Sequence, residues 1–251
     1  GGGVLLGIAA IFSAPNLLFS VLILFFYLPR METGRGKTLK KFIAGGVGIV
    51  IIIFPFLLRN SREGGGIVPL TAHSGINFFI GNNPQSTGAF TPPLFLTPSA
   101  TGIIRDASRV ADAMSGRELT PAQSSRYWFQ RGVDYIFEEP IDSTGLELKK
   151  LGFLISPREN YDILSRRQGG GAGGGRLFGI PLAGFGAIIP FALVGIFFAG
   201  RRKNLLLLYL FLGAHVFGIL TYFYQARARL VMVPILLLFG AGLLVELYRL
   251  L

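Results

Sequence analysis

Residues 42–58 read Phe-Ile-Ala-Gly-Gly-Val-Gly-Ile-Val-Ile-Ile-Ile-Phe-Pro-Phe-Leu-Leu, with Lys40-Lys41 before them and Arg59 after. An uncharged apolar run of this kind is read as a membrane-crossing helix, because a hydrocarbon core of roughly 30 Å takes about 20 helical residues. Working outward, four more runs have the same character: Val4 to Leu28, Leu177 to Phe198, Leu205 to Tyr224 and Leu230 to Leu247. The first is interrupted by Ser13-Ala14-Pro15-Asn16, which predicts a kink or a cavity, since freed backbone groups in lipid need partners. Composition agrees. Only 15% of the 251 residues are charged and 51% are hydrophobic, against about a quarter charged in a soluble domain. The expected fold class is therefore an all-α membrane protein of about five transmembrane helices.

The short loops set the orientation. Arg30, Arg35, Lys37, Lys40 and Lys41 fall between spans one and two, Arg201, Arg202 and Lys203 between spans three and four, and Arg249 after span five. Alternation puts all of them on one side, which the positive-inside rule makes cytoplasmic. Three regions result: residues 1–58 with two spans, an extracytoplasmic loop domain at 59–176, and residues 177–251 with three. The location this predicts is the bacterial inner (cytoplasmic) membrane, with a periplasmic loop domain. The net charge of +11 then faces anionic lipid rather than nucleic acid. Zero cysteines exclude disulfides, a thiolate nucleophile and a cysteine-held metal. The chain opens inside an apolar run without Met, so a preceding N-terminal portion is expected. Glycine runs at 1–3, 64–66 and 169–175 (broken by Ala172) read as flexible linkers or as stand-ins for unidentified residues.

Within the outer segment the distinctive stretch is Asn77 to Pro93, Asn-Phe-Phe-Ile-Gly-Asn-Asn-Pro-Gln-Ser-Thr-Gly-Ala-Phe-Thr-Pro-Pro. Asn82-Asn83-Pro84 is a turn signal. Three amides, Asn77, Asn82 and Asn83, stand beside Phe78, Phe79 and Phe90. Amides bond hydroxyls and rings cover the apolar face of a pyranose, so the loop suits a sugar; it equally suits a well-built surface turn. Beyond it, Ile103, Ala107, Val110, Ala111 and Met114 recur at helical spacing. Thr120-Pro121-Ala122-Gln123 spells a capping box with proline at the first helical position, opening a helix that carries Trp128, Phe129, Gly132 and Ile136 on one face. These are expected to be two amphipathic helices at the membrane surface or on the span ends.

Candidate site residues follow from charge in the wrong place. Arg227 and Arg229 lie on the outer side, where a guanidinium fork matches a lipid-linked phosphate or simply snorkels to headgroups. Arg59 ends span two on that same side, as a supplement to the site or an ordinary helix cap. His73, just before the loop, is a candidate acid, base or hydroxyl donor, or a structural residue. His215 falls inside span four, as a functional group or as a partner to a neighbouring helix. The sequence has no metal-spaced cluster, phosphate-binding Gly-Lys-Ser/Thr loop or nucleophile elbow.

Gly7-Ile8-Ala9-Ala10 with Pro15-Asn16, Pro55 with Arg59-Asn60, Gly75 through Pro84, Leu119-Thr120-Pro121, Tyr127-Trp128, Arg158 through Asp162 and Arg227-Ala228-Arg229 with Pro234 together resemble, in order, the membrane glycosyltransferases of C-type fold related to protein O-mannosyltransferases. The resemblance covers nearly the whole chain and implies its C-terminal half only. It implies transfer of a sugar from a polyprenyl-phosphate donor on the extracytoplasmic face by inverting displacement. The acidic base would lie upstream of Gly1, so no residue here receives a catalytic role. Substrate contacts are expected from His73, Asn77, Asn82, Asn83, Arg59, Arg227 and Arg229, with no metal and no cofactor beyond the lipid-linked sugar. Where relatives carry Arg before the Pro-Asn of the first span, this chain has Ser13-Ala14. Partners implied are membrane lipids, the lipid-linked sugar, the protein's own N-terminal half and other membrane subunits. The alternative reading is a non-catalytic scaffold subunit reusing the fold. A secondary transporter is disfavoured by the absence of an inverted repeat and of a buried coupling carboxylate, Glu246 lying near the cytoplasmic end.

Overall fold

The computed structural model describes residues 1–31, 35–66, 73–156, 176–177, 180–181, 185–200 and 203–250. The architecture is all-α. A two-residue antiparallel ladder, Arg176–Leu177 against Ile180–Pro181, accompanies the helices. In chain order these are α1 (Gly2–Phe12), α2 (Ala14–Leu22), a π-helical turn (Ile23–Tyr27), α3 (Leu28–Met31), α4 (Arg35–Gly64), α5 (Ser74–Gly81), α6 (Ala100–Ser115), α7 (Pro121–Glu138) and α8 (Pro140–Ile155). After the ladder come α9 (Phe185–Ala199), a 3₁₀ turn (Lys203–Leu205), α10 (Leu206–Thr221), α11 (Ala226–Leu230) and α12 (Val233–Leu250).

Among the described residues only two helices, residues 36–64 of α4 and all of α12, are long and apolar enough to cross a membrane, not the five expected; the other apolar helices, 2–12, 14–30, α9 and α10, are shorter. The expected first span is not one kinked helix. Ser13 has extended backbone (φ −165°, ψ 150°) and its Oγ accepts from the Asn16 N–H, so α1 ends and α2 begins there. The chain then doubles back: Ser20 Oγ donates to Leu6 O at 3.0 Å and Asn16 Nδ2 to Ala9 O at 3.1 Å. In a single helix residues 6 and 20 would sit about 21 Å apart, so α1 and α2 form a hairpin. Proline's missing donor and Asn16's spare amide together let the turn form with its backbone groups satisfied. The continuous stretch is instead α2 through α3.

α1 runs parallel to α4 with glycines at the crossing. A Cβ on Gly3 would meet Gly45 O at 2.5 Å, and one on Gly7 would meet Ile52 Cβ at 2.8 Å. Of the leading glycine run, Gly2 and Gly3 are thus helix rather than linker, and Gly3 makes the close approach. The second run closes α4 as Gly64 and turns at Gly65 (φ 66°), while residues 169–175 lie outside the described residues. α4 also continues past the expected end of span two, through Arg59 and Arg62, with Pro55 inside it. α9 packs along α12, where a Cβ on Gly195 would strike the Phe239 carbonyl. α10 packs on α2, Gly218 meeting Pro15.

Two cores result. One joins Leu154, Phe185, Ile189, Ala192, Ile219, Tyr224, Met232 and Leu236, uniting the end of α8 with α9, α10 and α12. The other joins Ile76, Ile80, Leu96, Ile103, Ala107, Ala111 and Trp128 in a unit of α5, α6 and α7 beyond the end of α4, the outer unit relative to that helix. The expected amphipathic pair is α6 and α7, capped as read: Ser99 Oγ accepts from Gly102 N, Gly116 ends α6 at φ 67°, and Thr120 with Gln123 closes a capping box. α8, which follows α7 directly and reaches the other core through Leu154, is an element the sequence did not separate.

Candidate functional site

The loop after α5 is built on asparagines that the fold consumes. Asn82 is buried; its Nδ2 donates to Phe78 O at 2.8 Å and to Thr221 O at 2.9 Å, and its Oδ1 accepts from Lys150 Nζ at 3.2 Å. Asn83, also buried, donates to Phe79 O and Ile80 O and accepts Gln85 N at 2.8 Å, which makes the turn at Pro84. Both amides therefore face backbone, not a sugar. Asn77 differs: half-buried in α5, it has no side-chain hydrogen bond among the described residues.

Lys150 completes the arrangement. It is fully buried, and its three donors go to Glu147 Oε1 (2.7 Å), Leu220 O (2.7 Å) and Asn82 Oδ1. A helix ends with carbonyls that lack intrahelical partners and with negative dipole charge. Here Lys150 and Asn82 satisfy Leu220 O and Thr221 O, capping α10 from two other helices. Burial lowers the Lys150 pKa, while the neighbouring Glu147 carboxylate pulls it back up. The sequence carried a signal for it: residue 150 is in helical phase with Leu146 and Leu154, so a cation sits on the apolar face of α8. Asp106 carries the same signal in α6, in phase with Ile103 and Val110. It accepts Thr97 N at 2.8 Å, and the hydrogen bonds from Thr97, with help from Arg105, hold its carboxyl down to about 2.

The loop is then stitched to the segment following α10. Tyr224 N donates to Gly88 O at 2.8 Å and Phe90 N to Tyr224 O at 3.1 Å, a parallel bridge at Ala89 and Tyr224. Phe90 packs on Phe223 at a tilt of 49° with centroids 4.9 Å apart, Phe78 meets Tyr222 edge-on, and a Cβ on Gly81 would collide with the Tyr222 carbonyl. Three residues beyond Tyr224 stands Arg227. The juxtaposition of the amide loop with the late arginines is therefore present.

The two arginines part company. Arg229 is buried; Nη1 donates to Ser156 O at 2.8 Å and the guanidinium lies 3.9 Å over the Phe185 ring, so it joins the end of α8 to the start of α9. Arg227 is exposed, with Nε held by Gln225 Oε1 at 2.8 Å. Arg59 is exposed and paired with Glu63 at 3.0 Å one turn along α4; none of its contacts reaches the loop. His73 precedes α5, half-buried, its carbonyl accepting Asn77 N; partial burial lowers its pKa. His73, the N-cap residue of α5, lies one turn before Asn77. His215 is buried in α10, with Nδ1 3.0 Å from Phe211 O and its ring against Phe211. The stretch Arg158 through Asp162 lies outside the described residues. Among the candidates, Asn77, His73 and Arg227 keep polar atoms open, while Asn82, Asn83 and Arg229 are committed to the fold.

No protein-family model matches the chain, and neither do curated protein sequences or solved structures.

Proposed function

We propose that the chain is the C-terminal membrane portion of a glycosyltransferase that takes its sugar from a polyprenyl-phosphate carrier on the extracytoplasmic face. Five helical segments cross the bilayer: α2 through α3, α4, α9, α10 and α12. The outer unit sits at their non-cytoplasmic end. What supports this orientation is the distribution of charge along α4, whose first two turns hold Lys37, Lys40 and Lys41. Its other end meets the outer unit, where a Cβ on Gly65 would touch Thr120. The 30 residues of α4 span about 45 Å, enough to separate the two sides. Large apolar side chains point outward along α4 (Ile43, Val47, Val50, Ile51, Phe54) and along α8 (Ile141, Leu148, Leu151, Ile155). Exposed apolar surface on that scale belongs against lipid.

The observation that carries the transfer reading is the bridge between Ala89 and Tyr224, since it keeps the loop and Arg227 at one end of the apolar helices. Arg227 contacts the carrier phosphate, and Asn77 and His73 bond sugar or acceptor hydroxyls. The test uses the full-length protein, with transfer from a polyprenyl-phosphate sugar as the readout. Arg227→Ala is expected to lower kcat/KM at least tenfold while leaving the melting temperature unchanged, because the side chain is exposed. An undiminished rate removes Arg227 from the reaction. The scaffold alternative is favoured by one feature, the commitment of Asn82, Asn83 and Arg229 to internal bonds. Wild-type protein that transfers no sugar from any polyprenyl-phosphate donor would uphold it.

A further inference from the structure

A cavity lies on the outer unit, between the α6–α7 turn and the solvent face of α7, with a volume of about 520 Å³. Its wall follows helical spacing: Gln123, Arg126, Tyr127, Gln130 and Asp134 recur along one side of α7, and Arg131 and Arg117 flank them. This is the side opposite Ser124, Trp128, Gly132 and Tyr135, which are buried. Three guanidinium groups thus surround one opening. None of Arg117, Arg126 and Arg131 has an ion pair among the described residues. The single carboxylate present, Asp134, already accepts Gln130 Nε2 at 2.8 Å. Gln123 uses its carbonyl oxygen to accept Thr120 N in the capping box, which leaves its NH₂ facing the cavity.

Surface arginines ordinarily spread apart or pair with acids, because like charges repel and each pairing recovers a little energy. Gathering three around a concavity wide enough for a small molecule fits an anion that accepts from several guanidinium forks, above all a phosphate. The carboxamides and the Tyr127 hydroxyl supply groups that match sugar hydroxyls. We infer that this cavity binds a phosphorylated saccharide, either free in solution or presented as a phosphoinositide headgroup. The inference does not depend on glycosyl transfer, and the cavity is separate from the loop at Asn77–Pro93.

The chain carries its own reporter, since Trp128 is its single tryptophan. Its ring meets Tyr127 edge-on with centroids 5.2 Å apart, and Tyr127 lines the cavity. The experiment titrates the purified protein in detergent with glucose 1-phosphate, with glucose as control, and separately with vesicles containing or lacking phosphatidylinositol 4-phosphate, reading Trp128 emission. A saturable change with glucose 1-phosphate and none with glucose assigns a soluble ligand. A change with the phosphoinositide vesicles alone assigns the headgroup. In either case R126Q/R131Q is expected to weaken binding at least tenfold, and Arg105→Ala, away from the cavity, to leave it unchanged. The mutated arginines are exposed and without ion pairs, so the variant is expected to fold, as an unchanged Trp128 emission maximum without ligand will show. No response to either probe, or an equal response in the double variant, overturns the inference.

Discussion

The outer unit and the bundle of apolar helices pack with the same two devices in different proportion. In the outer unit polar side chains go inside and are bonded there: Asn82, Asn83, Lys150 and Asp106 are all buried, each with partners within hydrogen-bond distance. In the bundle fewer polar groups are buried, Ser20 and His215 among them, and most close contacts are made by removing side chains, with glycines at positions 3, 7, 48 and 195 letting backbones touch, as Gly75 and Gly81 do in the outer unit. On the membrane placement proposed above, water explains the difference. Burying apolar surface drives the outer helices together, so a few polar groups can be spent on fixing turns. Between helices in lipid that drive is absent, and close van der Waals approach takes its place.

The comparison is broken most directly where the regions meet. A methyl at Gly81 has no room beside the Tyr222 carbonyl, so Gly81→Ala is expected to cost more than about 4 kcal/mol, in the range reserved for severe core disruption. Guanidinium unfolding in detergent measures it. A loss below about 1 kcal/mol would mean the junction yields. Next comes the polar cap of α10. Lys150→Ala strands Leu220 O and the Asn82 carbonyl, for an expected loss of about 3 kcal/mol. Combined with Asn82→Ala it should show coupling above roughly 0.5 kcal/mol in a double-mutant cycle, as residues in one network do. Additive losses would dissolve the shared cap into two unrelated contacts.

The smallest effect is a titration. Asp106 is held at about 2 instead of 3.8, so the stability it lends is present above pH 3.8 and drains away as pH falls toward 2. Trp128 donates to Ala107 O beside it, so its emission follows the outer core. Acidification from pH 6 to 2 should shift that emission to longer wavelength with a midpoint between those two values, and Asp106→Asn should flatten the change. A drop of equal size in the variant would remove Asp106 from the acid sensitivity.

Much of this was legible in the chain itself. Thr120-Pro121-Ala122-Gln123 announces its helix because a capping box is local chemistry, and Gly116 stops α6 for an equally local reason. The uncharged run at 42–58 gives α4 in the same way. The hairpin at Ser13 was hidden, since Ser-Ala-Pro-Asn reads alike for a kink and for a reversal, and only the bond from Ser20 to Leu6 decides between them. At the site, composition marked Asn82 and Asn83 as polar groups beside rings. Nothing in their spacing said that their partners would be carbonyls, one of them 139 residues later. Lys150 was overlooked because one of two adjacent lysines on an outer helix looks solvated until its phase with Leu146 and Leu154 is noticed.

The pairing of residues 88–90 with Tyr224 carries a consequence for how the molecule is made. During synthesis the proline-rich loop emerges well before its partner, and the long intervening segment must be threaded into place before the clasp can close. Closing so large a loop costs entropy that later contacts recover. A chain halted ahead of Tyr224 would leave the last carbonyls of α10 and the edge of that loop waiting together. The loop is thus locked by a residue that emerges long after it, once the helices between them are in place.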